Sequence, residues 1–220
     1  VALSHDTILS SYPRSGVTWL RSIVADLLFP LQANSILDLD RFVPDIHEPV
    51  NTSLLPQLKY RPVKVHYPFA QFMWNRTHAG KIVYIIRDPR RVAPSYWRYL
   101  SSLAGYTDSY EQFIDDWLGG RVWPCSWGEH VQGYTSYQPR SQSEQLLVLR
   151  YEDMRDDLMG SVDRLCNFLQ VAAAPGVKRA AVERNSLEGT AAKEKAGMRK
   201  REKAPGFNFV GGSKDSPLQI

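Results

Sequence analysis

Four short apolar runs restrict the fold of this chain more than any other feature of its sequence. Each run is continuous rather than alternating, as expected for parallel strands that are covered on both faces. The runs are TILSS at 7–11, VKVH at 63–66, KIVYIIR at 81–87 and QLLVLRY at 145–151. Segments with helical spacing lie between them, so the pattern predicts a three-layer α/β fold with a central parallel sheet flanked by helices. Such sheets bind ligands at the carboxyl ends of their strands.

Helices are predicted after the first run, the third run and the last run. Asp88 followed by Pro89 is typical of a helix N-terminus. Residues 100–140 are rich in Gly, Ser, Tyr and Trp, and they fit either a poorly packed insertion or a binding lid. The apolar residues at helical spacing are Leu20, Ile23, Val24, Leu27 and Leu28 after the first run, and Val162, Leu165, Cys166 and Leu169 after the last.

Composition favours one globular domain over 1–220, with 43% hydrophobic and 23% charged residues. No apolar run reaches the roughly 18–20 residues of a membrane span, and no signal-peptide pattern is visible, so we expect no membrane partner. Two cysteines, Cys125 and Cys166, lack metal-ligand spacing and favour a cytoplasmic setting. The net charge of +4 fits an anionic ligand or nucleic acid. The basic run at 193–203 fits a solvated helix face or mobile loop about as well as a binding surface for such a partner.

The stretch YPRSGVTW at 12–19 joins the first predicted strand to the first predicted helix. Backbone N–H groups and the helix dipole favour an anion at such a junction, and Gly16 permits its close approach. Trp19 can stack on a heterocycle, although a plain strand–turn–helix joint has the same spacing. The stretch departs from the G-x-x-x-x-G-K-[ST] loop that binds ATP or GTP. The side chains that can add polar contacts are Arg14, Ser15 and Thr18.

Two other strand ends carry polar residues. Arg87 ends the third run and Ser95 follows eight residues later in the next helix, so the two can clamp one phosphate. The alternative for Arg87 is a surface ion pair. His66 ends the second run, with Lys64 on the same strand face, and a histidine there can be a general base or a structural residue.

Together these segments resemble the sulfotransferases that use 3′-phosphoadenosine 5′-phosphosulfate (PAPS). YPRSGVTW resembles their P-loop-like phosphosulfate-binding loop, with Arg14 in place of the usual Lys and Val17 in place of a Thr. RDPRRVAPSYW resembles their 3′-phosphate element, and VKVHYP resembles the K-T-H-x-P segment that carries their catalytic base. SWGEHV at 126–131 resembles an acceptor-pocket wall, and LRYEDM at 149–154 resembles a strand whose Tyr lies near adenine. The resemblance covers the chain from Ile8 to about Leu187.

The resemblance implies that a sulfuryl group passes from PAPS to a hydroxyl or amine of a small-molecule acceptor, leaving 3′,5′-adenosine bisphosphate (PAP), without a metal. It implies that His66 takes the acceptor proton, while Arg14 and Lys64 stabilise charge on the leaving phosphate. The residues implied for the nucleotide are Arg14, Ser15, Gly16, Val17, Thr18, Trp19, Arg87, Ser95, Tyr151, Ser186, Gly211 and Gly212. Those implied for the acceptor pocket are Tyr67, Trp127 and His130.

Some alternatives stay open at this stage. The family's late R-K-G-x-x-G segment matches either MRKRE at 198–202 or FVGGSKDS at 209–216, and the distance from Asn185–Ser186 favours the second. A P-loop kinase would share the fold but requires a loop Lys and a carboxylate for Mg²⁺. A non-catalytic nucleotide- or RNA-binding protein would use the basic run, although we expect no nucleic-acid partner. The acceptor and the oligomeric state are left open.

Overall fold

A computed structural model describes residues 6–47, 61–74, 80–138 and 145–197. Within these ranges the predicted central sheet is confirmed: it has four strands in the order β2-β1-β3-β4, and every neighbouring pair is parallel. The strand order reverses between β1 and β3, and a ligand crevice opens at such a switch point, at the carboxyl ends of the strands. The strands are β1 (Asp6–Ser11), β2 (Arg61–Val65), β3 (Lys81–Ile86) and β4 (Gln145–Arg150).

Helices occupy most of the remaining described chain. The longest of them begins at Pro89, and Asp88 caps it by accepting a hydrogen bond from the Arg90 backbone N–H at 2.9 Å, as the sequence predicts. The helices are α1 (Val17–Leu28), α2 (Leu39–Phe42), α3 (Phe69–Trp74), α4 (Pro89–Leu103), α5 (Tyr110–Leu118), α6 (Trp127–Thr135), α7 (Tyr151–Asp156), α8 (Leu158–Leu169), α9 (Pro175–Arg184) and α10 (Leu187–Ala196). No helix in the described ranges is long and apolar enough to cross a membrane.

Both faces of the sheet are buried, which explains why the strand sequences do not alternate. Leu9 and Val83 belong to a core on one face that includes the buried sides of α1 and α8. Ile8 and Ile82 belong to a core on the other face, against α6. Neighbouring residues of one strand therefore enter different cores, which favours apolar residues at successive positions.

Residues 100–138 are not a poorly packed insertion. They form the C-terminal part of α4 and all of α5 and α6. Helix α6 packs mainly in the second core, while the α4 and α5 residues pack in a third apolar cluster around Tyr12 at the end of β1. Phe113 is fully buried in this cluster, and the Tyr12 hydroxyl donates to the Cys125 carbonyl at 3.0 Å. The segment thus covers the carboxyl end of the sheet, next to the crevice. The prediction of a single domain over 1–220 stays a prediction.

Candidate active site

The junction between β1 and α1 is shaped to receive an anion. Gly16 is the N-cap of α1 with φ 103, and no side chain caps this helix or places an acid in its first turn. The first N–H groups of α1 and the positive end of its dipole therefore face the loop. Ser15 is 1% exposed, and its Oγ has no hydrogen-bond partner among the described residues. A buried hydroxyl without a hydrogen-bond partner is costly. The loop is therefore suited to an oxyanion ligand that would accept a hydrogen bond from the Ser15 hydroxyl.

Tyr151 explains why position 16 is glycine. A Cβ at Gly16 would lie 2.6 Å from Cδ2 of Tyr151, closer than a side chain can approach, and its positive φ disfavours any other residue. Arg14, two residues earlier, also has a left-handed backbone, with φ 67. Such conformations in non-glycine residues are uncommon and cluster at functional sites.

The two predicted phosphate-binding arginines lie together with Ser95. Nε of Arg14 donates to Oγ of Ser95 at 3.2 Å, and its guanidinium carbon lies 5.2 Å from the ring centroid of Tyr99. Nη1 of Arg87 donates to the Arg14 carbonyl at 3.1 Å, while its guanidinium covers the ring of Tyr151 at 4.3 Å. The crevice therefore brings two permanent positive charges to the end of the anion loop.

Trp19 lies one turn into α1, beside the same ring of Tyr151, with a centroid distance of 5.4 Å in an edge-to-face arrangement. Its indole Nε1 donates to the main-chain carbonyl of Asn185 at 2.8 Å. Ser186 follows as the N-cap of α10, and its hydroxyl accepts from the Gly189 N–H at 3.1 Å. Two of the residues predicted to bind the nucleotide, Gly211 and Gly212, lie outside the described residues.

His66 lies at the end of β2, with its side chain 8% exposed. Its Nδ1 lies 2.7 Å from the carbonyl oxygen of Ser11, which can only accept, so Nδ1 carries the proton and Nε2 is the basic nitrogen. Burial lowers the pKa of His66 well below its usual value, and the charge of Lys64 adds to this effect, whereas the Ser11 carbonyl opposes it. The ring is therefore neutral at pH 7 and can accept a proton at Nε2.

Two other histidines hold the backbone of His66. Its N–H donates to Nε2 of His47 at 2.9 Å, and its carbonyl lies 3.2 Å from Nε2 of His130. Nδ1 of His130 lies 2.7 Å from the Tyr84 hydroxyl. His130 donates from Nε2 and accepts at Nδ1, which requires a neutral ring, and burial lowers the pKa of His130 to about 4. Because His130 is fully buried, its assignment to the acceptor pocket stays a prediction.

Lys64 pairs with a carboxylate that the sequence reasoning missed. Its Nζ lies 2.7 Å from Oδ2 of Asp45, which is 3% exposed. The chain around Asp45 runs beside β2, because Lys64 N donates to the Pro44 carbonyl and Ile46 N donates to the Lys64 carbonyl. Burial alone would raise the pKa of Asp45, but the neighbouring Lys64 outweighs it and holds that pKa well below its usual range.

Aromatic side chains surround the outer side of His66. Trp123 is 48% exposed and meets the rings of His47 and His66 edge-on, at centroid distances of 5.2 and 6.1 Å. The predicted pocket residue Tyr67 packs against His47 at 4.5 Å. Trp127, also predicted for the pocket, packs against the third apolar cluster and is partly exposed. Trp123 and Tyr67 thus present aromatic surface beside the His47–His66 pair.

Sequence reasoning missed several of these residues. Tyr99 follows Ser95 by one helical turn, so the spacing in the predicted helix could have placed it on the same face. The others lie far along the chain from the residues they contact, and no local pattern marks them. They are Asp45, His47 and Asn185. Among the described residues, no group of three His, Cys, Asp or Glu could hold a metal ion; the expectation that no metal takes part stays a prediction.

The glycine-containing loop, the two arginines and the neutral histidine all lie at the carboxyl ends of the parallel strands. This arrangement is typical of proteins that bind oxyanions or nucleotides. The model of the Sulfotransferase domain family matches residues 4–209. The chain therefore belongs to the sulfotransferase family.

Curated relatives and solved structures agree with this family. Sulfotransferase 2A1 of Rattus norvegicus is 32% identical over 176 residues, which are 77% of this chain and 61% of that protein. Sulfotransferase 2A6 of the same organism is 30% identical over 220 residues, 96% of this chain and 76% of that protein. The crystal structure of mouse sulfotransferase SULT7A1 complexed with PAP has a TM-score of 0.66 at 21% identity, covering 92% of this chain and 70% of that one. This last likeness concerns the fold.

Proposed function

We propose that this protein is a PAPS-dependent sulfotransferase that moves the sulfuryl group of PAPS to a hydroxyl or amine of a small-molecule acceptor, with His66 as the general base. Family membership supports the reaction class. The observation that carries the role of His66 is the contact of Nδ1 with the Ser11 carbonyl at 2.7 Å. That contact directs the basic Nε2 away from the strand end that holds the ring, and the low pKa keeps it unprotonated at neutral pH.

The nucleotide is proposed to bind along β1 and α1. The loop N–H groups and the unpartnered hydroxyl of Ser15 take the 5′-phosphosulfate, with Val17 and Thr18 supplying backbone at the helix start. Trp19 takes the adenine on its ring face. Arg87, with Ser95, takes the 3′-phosphate, which distinguishes PAPS from ATP. A bound PAP in the matched SULT7A1 structure supports the choice of nucleotide.

The transfer forms one bond and breaks another. An acceptor oxygen or nitrogen bonds to sulfur while the bond from sulfur to the 5′-phosphate oxygen breaks, and the acceptor proton moves to Nε2 of His66. The charge that develops on the leaving phosphate lies at the loop, where Arg14 and the α1 N–H groups stabilise it. Lys64, held by Asp45, adds positive charge beside His66.

The acceptor is proposed to be flat or apolar around its reacting group, because Trp123 and Tyr67 present aromatic surface next to His66. We also propose a cytoplasmic location, since Cys125 and Cys166 are both buried thiols without a disulfide.

Labelled PAPS incubated with a panel of phenols, alcohols and amines tests the proposal. We expect transfer of label to at least one acceptor with release of PAP, and a kcat about 10²-fold lower in the variant His66→Ala. PAP affinity serves as the internal control and should stay within a few-fold. PAP, and not ATP with Mg²⁺, should raise the melting temperature. Turnover of ATP, or full activity of His66→Ala at all pH values, would contradict the proposal.

A further inference from the structure

A buried polar cluster lies behind Trp19, on the side of α1 that faces α9 and α10. We call it the Asp26 cluster, and its members are Ser22, Asp26, Arg184, Asn185 and Lys193. Lys193 comes from the basic run that the sequence allowed to be a solvated helix face, yet it is 4% exposed, and Asp26 is 2% exposed. Charged side chains are rarely buried to this extent unless they are paired.

The Asp26 carboxylate is shared between three donors. Its Oδ2 accepts from Nζ of Lys193 at 2.6 Å and from Nδ2 of Asn185 at 2.8 Å, and its Oδ1 accepts from Nε of Arg184 at 3.0 Å. Nζ of Lys193 also donates to Oγ of Ser22 at 2.7 Å and to Oδ1 of Asn185 at 3.4 Å. These contacts join α1 to Arg184 of α9, to Asn185 between the two helices and to Lys193 of α10. One further contact joins Lys193 to Asn185.

The cluster ends at the nucleotide site. Trp19, Ser22 and Asp26 are spaced at i, i+3 and i+7, so they lie along one face of α1. The side chain of Asn185 is held by Asp26 and Lys193, while its main-chain carbonyl accepts the indole N–H of Trp19 at 2.8 Å. Tyr151 contacts the same indole ring at 5.4 Å. The indole is thereby fixed at its polar edge by a residue that the cluster immobilises.

We infer that Lys193 is a positioning residue for the nucleobase: through Asp26 and Asn185 it holds the carbonyl that orients Trp19 for stacking. The inference rests on the proposed function, because it takes the adenine of PAPS as the ring that stacks on Trp19. Buried ion pairs contribute little net stability, since desolvation offsets their attraction, and their better-supported use is to select one arrangement. In this protein the arrangement selected is that of an indole at a ligand site.

The test compares two ligands in one variant. In Lys193→Met the Asp26 carboxylate keeps Arg184 as a counter-charge, so a folded protein is expected. We expect the Kd of PAP and the KM for PAPS to rise about tenfold, the equivalent of about one lost hydrogen bond, with kcat within about twofold. The Kd of ribose 3,5-bisphosphate, which has no base, should stay within about twofold. Lys195→Met, two residues later on the exposed side of α10, is the matched control and should change neither ligand.

Each outcome decides between the possibilities. Equal weakening of PAP and ribose 3,5-bisphosphate would mean that Lys193 is only structural, and unchanged PAP binding would mean that it has no part in positioning; either result overturns the inference. If the wild-type chain does not bind PAP, the proposed function itself is wrong, which is a different result. If Lys193→Met does not fold, Ser22→Ala serves instead, because it removes one Lys193 contact and keeps the ion pair. If Ser22→Ala does not weaken PAP more than ribose 3,5-bisphosphate, the inference is also overturned.

Discussion

Tyr84→Phe tests whether the buried histidines act together on His66. The Tyr84 hydroxyl lies 2.7 Å from Nδ1 of His130, and both residues are fully buried. Removing the hydroxyl leaves Nδ1 without its donor. If His130 instead moves its proton to Nδ1, the carbonyl of His66 loses the donor at 3.2 Å. One buried acceptor is therefore left unpaired in either tautomer.

The expected size follows from that unpaired acceptor. A buried polar group without a partner costs about 1–3 kcal/mol, so we expect a loss of about 2 kcal/mol in the free energy of unfolding. For a chain of this length the melting temperature should fall by about 4–8 °C. The hydrogen bond to the His66 carbonyl has a net worth of about 1 kcal/mol, and if it is fully expressed in the transition state kcat falls about fivefold.

The assay is thermal unfolding followed by circular dichroism, together with steady-state kcat at saturating PAPS. Tyr106→Phe is the control, because the Tyr106 hydroxyl lies at the protein surface, 3.4 Å from Asp116, and its loss should leave both quantities nearly unchanged. A Tyr84→Phe protein with the wild-type melting temperature and kcat would show that this hydroxyl does not support His130, and the reasoning would be wrong.

Three further predictions concern charge. Arg14→Ala should lower kcat/KM more than it weakens PAP binding, because the charge on the leaving oxygen grows during transfer. Arg14→Lys should keep much of the activity. Equal effects of Arg14→Ala on kcat/KM and on PAP binding would make Arg14 a binding residue only. Arg87→Ala should cost PAP about 1.5–3 kcal/mol of binding per lost charged contact. Adenosine 5′-phosphosulfate lacks the 3′-phosphate and should lose less in titration calorimetry, through the contact of Arg87 with the Arg14 carbonyl alone; equal losses would assign Arg87 another role. His66 and His130 have lowered pKa values in the folded state, so their unfolded forms bind protons first as the pH falls. Stability in urea titrations should be constant between about pH 6.5 and 8. Below about pH 6.5 it should fall by about 1.4 kcal/mol per pH unit for each histidine, continuing for His130 to about pH 4; equal stability at about pH 7.5 and 5 would contradict both shifts.

The sequence alone determined the architecture and the position of the loop between β1 and α1. Continuous apolar runs predicted the strands, since burial on two faces favours apolar residues at successive positions. Helical spacing predicted α1 and α8, and the Asp88–Pro89 pair predicted the start of α4. The loop from Tyr12 to Gly16 was also readable, because its strand, its glycine and its helix are neighbours in the chain. All of these signals can be read from residues that are neighbours in the chain.

Only the tertiary structure decided how the charged and polar side chains pair. Lys64 was predicted to act on the leaving phosphate, and the fold brings it to Asp45, 19 residues away along the chain. His130 was predicted to line a pocket, and the fold buries it against the carbonyl of His66. Lys193 lies in a run for which a solvated face was one of two open alternatives, and the fold brings it to Asp26, 167 residues away. Whether a charge faces water or a partner depends on the surface that packs over it, and residues distant in the sequence form that surface.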